Sequence, residues 1–212
     1  MSSENLETIP CPECKHPQPF TVWSSVNVSL NPELKDKILD RSIDKFVCEK
    51  CGHTAQVAHP MLYHDMDRKL MVWLVYQGEI PEGGPSAIGT LEGYRFRRVR
   101  SYEELMEKIM IDDEKLDDRV IEVMKLAALS MLEEKKDRTN DRLYFEGSGL
   151  NKKGDPVMSL AVISGEQAGQ LSVPHGFYSE VARLIEARNE EPQEGWLSID
   201  REYAVNVLKD VE

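Results

Sequence analysis

All four cysteines of the chain lie in two C-x-x-C motifs, a spacing that is typical of metal ligands. The first motif is CPEC, with Cys11 and Cys14, and the second is CEKC, with Cys48 and Cys51. A two-residue gap lets both thiolates of one turn reach a single ion about 2.3 Å away, and two such turns complete a tetrahedral shell. We therefore predict that the four cysteines bind one Zn²⁺ per chain, in a structural site that has no position open for water.

Two other chemistries are compatible with the same cysteines. CPEC is similar to the C-P-x-C site of glutaredoxin-like redox proteins, but Pro17 and Pro19 oppose the helix that lowers the thiol pKa in such sites. Rubredoxins also hold iron with two C-x-x-C motifs, and they place glycine after both. Here Gly52 follows the second motif, whereas Lys15 follows the first. Zinc is therefore the predicted cofactor, and iron and thiol redox chemistry are the alternatives.

The 33 residues between the two motifs must bring the motifs together. Compact zinc ribbons have a shorter gap of about 15–20 residues. The stretch TVWSSVNVSL alternates apolar residues as a half-buried strand does, and SIDKFVC resembles a second strand. Between them, NPELKDKILD predicts a short helix with Asn31 as N-cap and Pro32 in the first helical position. The insert is therefore predicted to fold as strand, helix and strand.

The rest of the chain predicts further strands and helices. TAQVAH reads as a strand, MLYH and KLMVWLVYQ as a hairpin around DMDR, and residues 78–89 as a Gly- and Pro-rich loop. Ser101 and Glu104 form a capping-box pattern that begins a helix, and a second helix begins near Asp117. Three closely spaced strands from Arg142 onward are predicted to be antiparallel. A helix, a surface loop at residues 189–195, a short strand WLSI and a last helix capped by Asp200 follow.

Length and charge limit the class of protein. A chain of 212 residues with 30% charged residues and a net charge of −12 predicts a globular protein with a real core. Residues 1–100 carry 12 basic and 13 acidic residues, whereas residues 101–212 carry 14 and 25. The prediction is an α+β protein: a zinc-ribbon-like antiparallel β domain with a folded insert at 1–100, then an acidic α+β region with a small antiparallel sheet at 101–212.

The same features bear on partners and location. The acidic half opposes binding to a phosphate backbone, so a nucleic-acid partner is not expected. The basic stretch YRFRRVR, residues 94–100, is interpreted as an alternating strand with a solvated cationic face, and a phosphate or acidic-partner contact is the alternative. No signal-peptide pattern or membrane-spanning run is seen, which predicts a cytoplasmic protein without a membrane partner. In a reducing cytoplasm, clustered cysteines favour metal binding over disulfides.

Several stretches resemble the CpXC domain family of bacterial and archaeal proteins. They are CPEC, SSVNVSLNPELKDKIL, CEKCGH and LYHDMDRKLMVWLV, and LMEKIMIDDEKLDDRVIEVMK is similar to the downstream segment of that family. The resemblance extends over roughly residues 8–130. It implies that the four cysteines are the ligands, and it implies no substrate.

Two other groups of polar residues are candidate sites. The first contains four histidines and two aspartates near the motifs: His16, His53, His59, His64, Asp65 and Asp67. Because four cysteines fill a tetrahedral shell, these side chains are expected at the surface or beside the site, with the aspartates in a hairpin turn. The second contains Asp112, Asp113, Asp117 and Asp118. Acids at a helix start favour its dipole, and a hydrolase site for a divalent metal is the alternative.

No residue is therefore predicted to be catalytic. The function expected from the sequence is that of a zinc-binding interaction or regulatory module with a protein partner. The alternatives are an enzyme with a metal-dependent hydrolase site outside the four-cysteine centre, and a thiol or iron redox protein.

Overall fold

The computed structural model describes residues 1–76, 91–132, 140–187 and 195–209. The predicted loop at 78–89 and most of the predicted loop at 189–195 lie outside these ranges. The chain divides into two compact units, Met1–Met106 and Glu107–Glu212. Helices and strands occur throughout the described residues, so the predicted α+β class is confirmed.

The described residues of the first unit form seven strands and one complete helix. In chain order these are β1 (Ser3–Pro10), β2 (Pro17–Asn27), α1 (Glu33–Leu39), β3 (Lys45–Val47), β4 (Thr54–Gln56), β5 (Met61–Asp65), β6 (Leu70–Leu74) and β7 (Arg95–Val99). Five of the strands form one sheet in the order β1-β2-β5-β6-β7, and β3 and β4 form a separate two-stranded sheet. One face of the large sheet is the core of this unit, where Val26, Tyr63 and Val72 lie in one buried row.

The large sheet is mixed, which corrects the prediction of an antiparallel β domain. β1 with β2 and β5 with β6 are antiparallel, as hairpins must be, and the predicted hairpin around DMDR is confirmed. β2 with β5 and β6 with β7 are parallel. Parallel neighbours need a long connection, and the chain between β2 and β5, which contains α1 and the hairpin of β3 and β4, provides one. The segment that carries the second motif therefore also sets the direction of β5.

Two local features of the first unit differ from the prediction. β1 was not predicted, because its residues are almost all exposed and lack the alternation of a half-buried strand. α1 begins at Glu33 after Pro32, and Asn31 does not cap it: no side-chain cap bond is formed, and the Asn31 amide instead donates to the Glu33 carboxylate at 3.3 Å.

The second unit packs helices against a three-stranded sheet. Its elements are α2 (Tyr102–Asp113, which begins in the first unit), α3 (Asp118–Leu132), β8 (Arg142–Leu150), β9 (Pro156–Ser164), β10 (Gln167–Pro174), α4 (His175–Glu186) and α5 (Arg201–Lys209). The sheet has the order β10-β9-β8 and is antiparallel, as predicted. Its core includes Met124, Phe145 and Leu160, which are almost fully buried. None of the described helices is both long and apolar enough to cross a membrane.

The predicted helix starts in this half of the chain are confirmed by their hydrogen bonds. The Glu104 N–H donates to Ser101 Oγ at 3.2 Å, and the Glu104 carboxylate in turn accepts from the Arg100 N–H at 2.7 Å. Asp117 accepts from the backbone at the start of α3, and Asp200 does so at the start of α5. The segment WLSI is not the strand that was predicted, because only Leu197 forms a bridge there.

Candidate metal centre

Each C-x-x-C motif forms the turn of a β-hairpin. Residues 11–16 connect β1 to β2, and residues 48–53 connect β3 to β4. Pro17 and Pro19 therefore lie in a strand, as expected from their opposition to a helix after CPEC. β3 and β4 have only three residues each, and a two-stranded hairpin of this size is marginally stable in water. The second motif therefore depends on contacts outside its own hairpin.

The two turns have the same backbone geometry. In the first, the Cys11 N–H donates to the His16 carbonyl at 2.9 Å; in the second, the Cys48 N–H donates to the His53 carbonyl at 2.8 Å. A second bond in each turn runs back to the carbonyl of its first cysteine, from Lys15 in the first turn and from the glycine that follows the second motif in the other. Both donor residues have positive φ angles, 59° and 73°, so the sequence difference after the motifs does not change the turn.

The four sulfur atoms are brought together by these turns. All four lie within 4.8 Å of one another. The Sγ atoms of Cys11 and Cys51 are 3.7 Å apart, and those of Cys14 and Cys48 are 3.6 Å apart. A tetrahedral ion with Zn–S bonds of about 2.3 Å separates its ligand sulfurs by about 3.8 Å. The predicted ligands Cys11, Cys14, Cys48 and Cys51 therefore fit a single metal ion.

A small hydrophobic core supports the sulfur cluster. Cys11, Phe46 and Cys48 are buried together, and the ring of Phe20 lies 6.1 Å from that of Phe46 between centroids. Phe20 comes from the first hairpin and Phe46 from the second. The two turns are thus held against each other by apolar contact as well as by their sulfur atoms.

Gln18 also joins the two hairpins, and it was missed in the sequence. Its side chain is almost fully buried in β2, where its amide donates to the Val47 carbonyl at 3.0 Å and accepts from the Glu49 N–H at 2.9 Å. Both partners belong to the second hairpin or its turn. The only sign of Gln18 in the sequence is its position between two prolines in HPQPF. This position does not show which backbone groups the Gln18 amide binds.

The backbone of each turn favours ionisation of its first cysteine. Burial raises the pKa of Cys48, but hydrogen bonds, first those from the N–H groups of Cys51 and Lys50, lower it by more than burial raises it. The resulting pKa is about 6. The pKa of Cys11 is lowered in the same way, against burial, by the amides at the corresponding positions of its own turn. Thiolates are the form that binds metal, so both turns are prepared for a cation.

The fourth thiol, that of Cys51, differs from the first cysteines of the two turns in its pKa. The His53 N–H lowers the pKa of Cys51, but hydrogen bonding to the neighbouring thiols, first that of Cys14, together with burial raises it to about 12. Four negative sulfurs within 4.8 Å repel one another, and a bound divalent ion offsets that repulsion. The cluster therefore carries all four charges when a metal is bound.

The comparison with known families agrees with this geometry. The model of the CpXC protein family matches residues 9–125, which is more than half of the chain. The chain belongs to the CpXC family. The match includes both C-x-x-C motifs and the whole insert between them, so the resemblance seen in the sequence is confirmed. No curated protein and no solved structure matches the chain. CpXC membership thus supports metal binding and assigns no substrate.

The histidines near the motifs do not form a second metal site. His16 and His53 contribute their backbone carbonyls to the two turns. The ring of His59 contacts the carbonyls of Val57 and Trp23, at 2.9 and 3.2 Å. In the part of the chain that the structure describes, the cysteines form the one group of three or more ligand residues within reach of a common ion.

His64 and the two aspartates near it have local partners. The His64 ring lies 3.3 Å from Asn27 Nδ2 and 3.3 Å from the Tyr94 hydroxyl. Asp65 accepts from the Arg68 N–H at 3.0 Å in the turn between β5 and β6, which is the turn role predicted for it. In the same turn, the Asp67 N–H donates to a serine hydroxyl.

The acidic cluster of the second unit is also divided among local partners. Its members are Asp112, Asp113, Asp117 and Asp118. Asp117 binds the Arg119 guanidinium, with contacts of 2.6–3.1 Å, and Asp118 lies 3.2 Å from the Lys108 ammonium. Asp117 and Asp118 lie at the start of α3, as the dipole interpretation expected, whereas Asp112 and Asp113 end α2, so the prediction of a helix start is wrong for those two residues.

The basic stretch at residues 94–100 contains β7, but its arginines do not form one solvated face. The burial along the strand does not alternate, because Phe96, Arg97 and Val99 are all buried. Arg97 Nη1 donates to the Phe96 carbonyl at 3.2 Å. The predicted cationic face is therefore wrong at Arg97, whose register with Val72 places it on the core side of the sheet.

A buried network of charges in the second unit had no sequence signal. The Lys125 ammonium lies 2.9 Å from Glu107 and 2.8 Å from Glu122. Lys108 lies 3.2 Å from Asp118 and 3.4 Å from Glu122. All five residues are buried. Their burial could not be predicted, because alternating acidic and basic residues form the same sequence pattern on a solvent-exposed helix.

Burial and pairing act against each other in this network. Burial raises the pKa of Glu107 although Lys125 lowers it, and the Phe145 N–H donates to the same carboxylate at 2.6 Å. Burial lowers the pKa of Lys108, but Asp118 and Glu122 raise it above its ordinary value. The members of the network therefore offset one another's burial only in part, and removal of one member exposes the desolvation cost of the others.

Proposed function

We propose that this CpXC protein binds one Zn²⁺ through Cys11, Cys14, Cys48 and Cys51, and that the metal is structural. The observation that carries the proposal is the meeting of four sulfur atoms, from two hairpin turns of the same geometry, within 4.8 Å. Four thiolates close a tetrahedral shell and leave no position for a substrate or a reactive water. The chemistry that zinc supplies here is coordination, which joins two hairpins that are marginal alone.

We further propose that the protein acts by interaction with another protein and not by catalysis. The closed shell of four sulfurs supports this role, as does the engagement of Asp117 and Asp118 in local ion pairs. The net charge of −12 opposes a nucleic-acid partner. Residues 1–100 are the proposed metal-binding domain, which the compact unit Met1–Met106 supports. A reducing compartment such as the cytoplasm suits a centre that needs four free thiolates.

The metal itself is the first test. The full chain is purified under reducing conditions, and its mass under native conditions is combined with elemental analysis of the same sample. One zinc per chain is expected. One iron per chain would replace the structural role with electron transfer. A metal-free protein with readily oxidised thiols would contradict the proposal and favour thiol chemistry.

A substitution tests whether the metal is structural. Cys48→Ser removes one buried ligand and is expected to abolish tight zinc binding and to unfold the hairpin of β3 and β4, because metal binding and folding are coupled. Val47→Ser is the matched control, since Val47 is the preceding residue and is 49% exposed. The readouts are zinc content and amide hydrogen exchange in residues 45–56. Unchanged protection in Cys48→Ser would contradict a structural metal.

The interaction role has its own test. Affinity capture compares the zinc-loaded wild type with Cys48→Ser on the same support. A protein retained by the wild type alone, and lost when zinc is chelated, is the expected result. Failure of the wild type to retain any protein from its native cell extract would contradict the interaction role, while the zinc content would stand.

A further inference from the structure

The four cysteine residues of the centre differ strongly in their exposure to solvent. Cys11 and Cys48, the first cysteines of the two turns, are 0% and 2% exposed, whereas Cys14 is half-buried and Cys51 is exposed. Susceptibility of a cysteine to an oxidant follows its thiolate character and its exposure. A metal-bound sulfur keeps thiolate character, so among four bound sulfurs the exposure decides which one reacts. A small oxidant in solution therefore reaches Cys51 first.

A buried thiol lies ready to react with an oxidised Cys51. The Sγ atom of Cys11 is 3.7 Å from that of Cys51, and the two residues belong to different hairpins. A disulfide needs the two sulfurs at about 2.05 Å, so the approach required is less than about 2 Å. The turn of Cys51 contains Gly52, which has open space around it, and lies at the end of a short hairpin. We therefore expect this turn to move more readily than the turn that contains Cys11.

We propose that the centre is also an oxidation-sensitive switch, in which a hydroperoxide converts Cys51 and Cys11 into a disulfide and thereby releases the metal. This inference rests on the proposed function, because it describes the regulation of the same zinc site. Cys51 is the residue that reacts with the hydroperoxide, and Cys11 is the resolving cysteine that forms the disulfide with the oxidised Cys51.

The steps balance in atoms and electrons. The Cys51 thiolate attacks one oxygen of hydrogen peroxide, the O–O bond breaks, and the products are Cys51 sulfenic acid and hydroxide. The Cys11 thiolate then attacks the sulfur of the sulfenic acid, the S–O bond breaks, and a second hydroxide leaves as the disulfide forms. Two thiolates lose two electrons in total, and one peroxide gains them. Only Cys14 and Cys48 then hold the ion, and two thiolates do not complete a tetrahedral shell.

The release of metal has a local structural consequence. The hairpin of β3 and β4 loses the ion that supports it, while the new disulfide keeps its turn attached to the first hairpin. Phe46 and the buried Gln18 contacts lie between the same two hairpins and are expected to loosen together. A dithiol reductant restores both thiolates and allows zinc to bind again.

The test uses the full zinc-loaded chain and hydrogen peroxide. A zinc-binding dye follows metal release, and free thiols are alkylated at intervals so that the first disulfide is mapped by peptide mass spectrometry. A disulfide between Cys11 and Cys51 that forms together with zinc release is expected. A first disulfide between Cys14 and Cys48, or within one motif, would overturn the assignment. Peroxide treatment that leaves both zinc and thiols intact would overturn the switch.

Two variants with histidine ligands sharpen the test. Cys51→His keeps four ligands, as in zinc sites built from three cysteines and one histidine, and is expected to slow peroxide-driven zinc release by about tenfold or more. Cys14→His is the matched comparison, because it changes the ligand set equally but leaves Cys51 in place, and its zinc release is expected to be slowed clearly less than that of Cys51→His. Equal slowing in both variants would overturn the role of Cys51.

The readouts separate this proposal from the structural function. Absence of zinc in the untreated wild type would defeat the proposed function itself. If the histidine variants fail to bind zinc, limited alkylation of the zinc-loaded wild type decides, because Cys51 is expected to be labelled first. Preferential labelling of Cys14 there would overturn the inference while leaving the structural zinc site standing.

Discussion

Lys125 is the residue whose removal tests the buried charge network most directly. Its ammonium lies 2.9 and 3.0 Å from the two oxygens of Glu107 and 2.8 Å from Glu122. In Lys125→Met the apolar side chain occupies a similar volume, but Glu107 loses both of these contacts. Glu122 keeps the ammonium of Lys108 at 3.4 Å. The substitution therefore leaves one buried carboxylate largely uncompensated and the other partly paired.

The expected cost of this substitution is about 4 kcal/mol, the middle of the range of about 3–5 kcal/mol for breaking a buried ion pair on one side. With a urea m-value of about 2 kcal/mol/M, the unfolding midpoint of the second unit falls by about 2 M. Circular dichroism in urea measures this shift. Lys153→Met is the control, since Lys153 is exposed in the turn between β8 and β9 and is expected to change stability by less than about 0.5 kcal/mol.

The pH dependence gives the sign of the effect. Without Lys125, the pKa of Glu107 rises further above its ordinary value of 4.5, because burial already raises it and the largest opposing contribution is lost. A carboxyl group with a raised pKa in the folded state binds a proton on folding, so stability increases as the pH falls through that pKa and levels off below the ordinary value. Lys125→Met should therefore recover stability as the pH is lowered from about 8 towards about 5.

A second substitution in the same network completes this test. Adding Glu107→Gln to Lys125→Met removes the uncompensated charge and is expected to restore most of the lost stability and to flatten the pH dependence. A Lys125→Met protein that unfolds at the same urea concentration as the wild type, with the same pH profile, would refute the view that Glu107 depends on Lys125 to offset its burial.

Two further substitutions test the metal centre. Gly52→Ala is expected to destabilise the first unit by about 1–2 kcal/mol, because an alanine at a φ of +73° is strained although no atom lies within 4 Å of its Cβ. Gly149→Ala is the control and should be nearly neutral, because Gly149 is also in open space but has no positive φ. Equal losses of stability in the two variants would contradict the argument from backbone strain. Gln18→Ala leaves the Val47 carbonyl and the Glu49 N–H without this partner and is expected to cost about 1–3 kcal/mol in thermal or urea unfolding; an unchanged midpoint would show that Gln18 does not hold the hairpins together.

The clustering of the four cysteines was predictable because each pair is local. Cys11 with Cys14, and Cys48 with Cys51, each form a turn whose spacing alone fixes two sulfurs on one side. The spacing does not show that the backbone tolerates Lys15 at the position of Gly52, and both residues adopt the same positive φ region. The geometry of the turn is thus less dependent on glycine than the sequence comparison with rubredoxins indicated.

The strand order was not predictable from the same patterns. β2 and β5 are parallel because the connection through α1 and the hairpin of β3 and β4 returns the chain to the same end of the sheet, and this pairing joins Ser25 to Leu62 across a long separation in sequence. Alternation of apolar residues identifies strands but does not give their neighbours or directions. The buried positions of Arg97 and Lys125 were hidden for a related reason, since their burial depends on partners from other elements.

β1 lies at the edge of the five-stranded sheet and, among the described strands, pairs with β2 alone. Its free edge therefore presents backbone donors and acceptors that another extended chain can bind, and both of its faces are largely exposed. Two copies that paired antiparallel about Glu4, or about Glu7, would set that glutamate directly against the same residue of the other copy. Like charges directly opposite each other destabilise such pairing. The carboxylates of β1 thus act against the pairing of two copies of the chain through this edge in those registers.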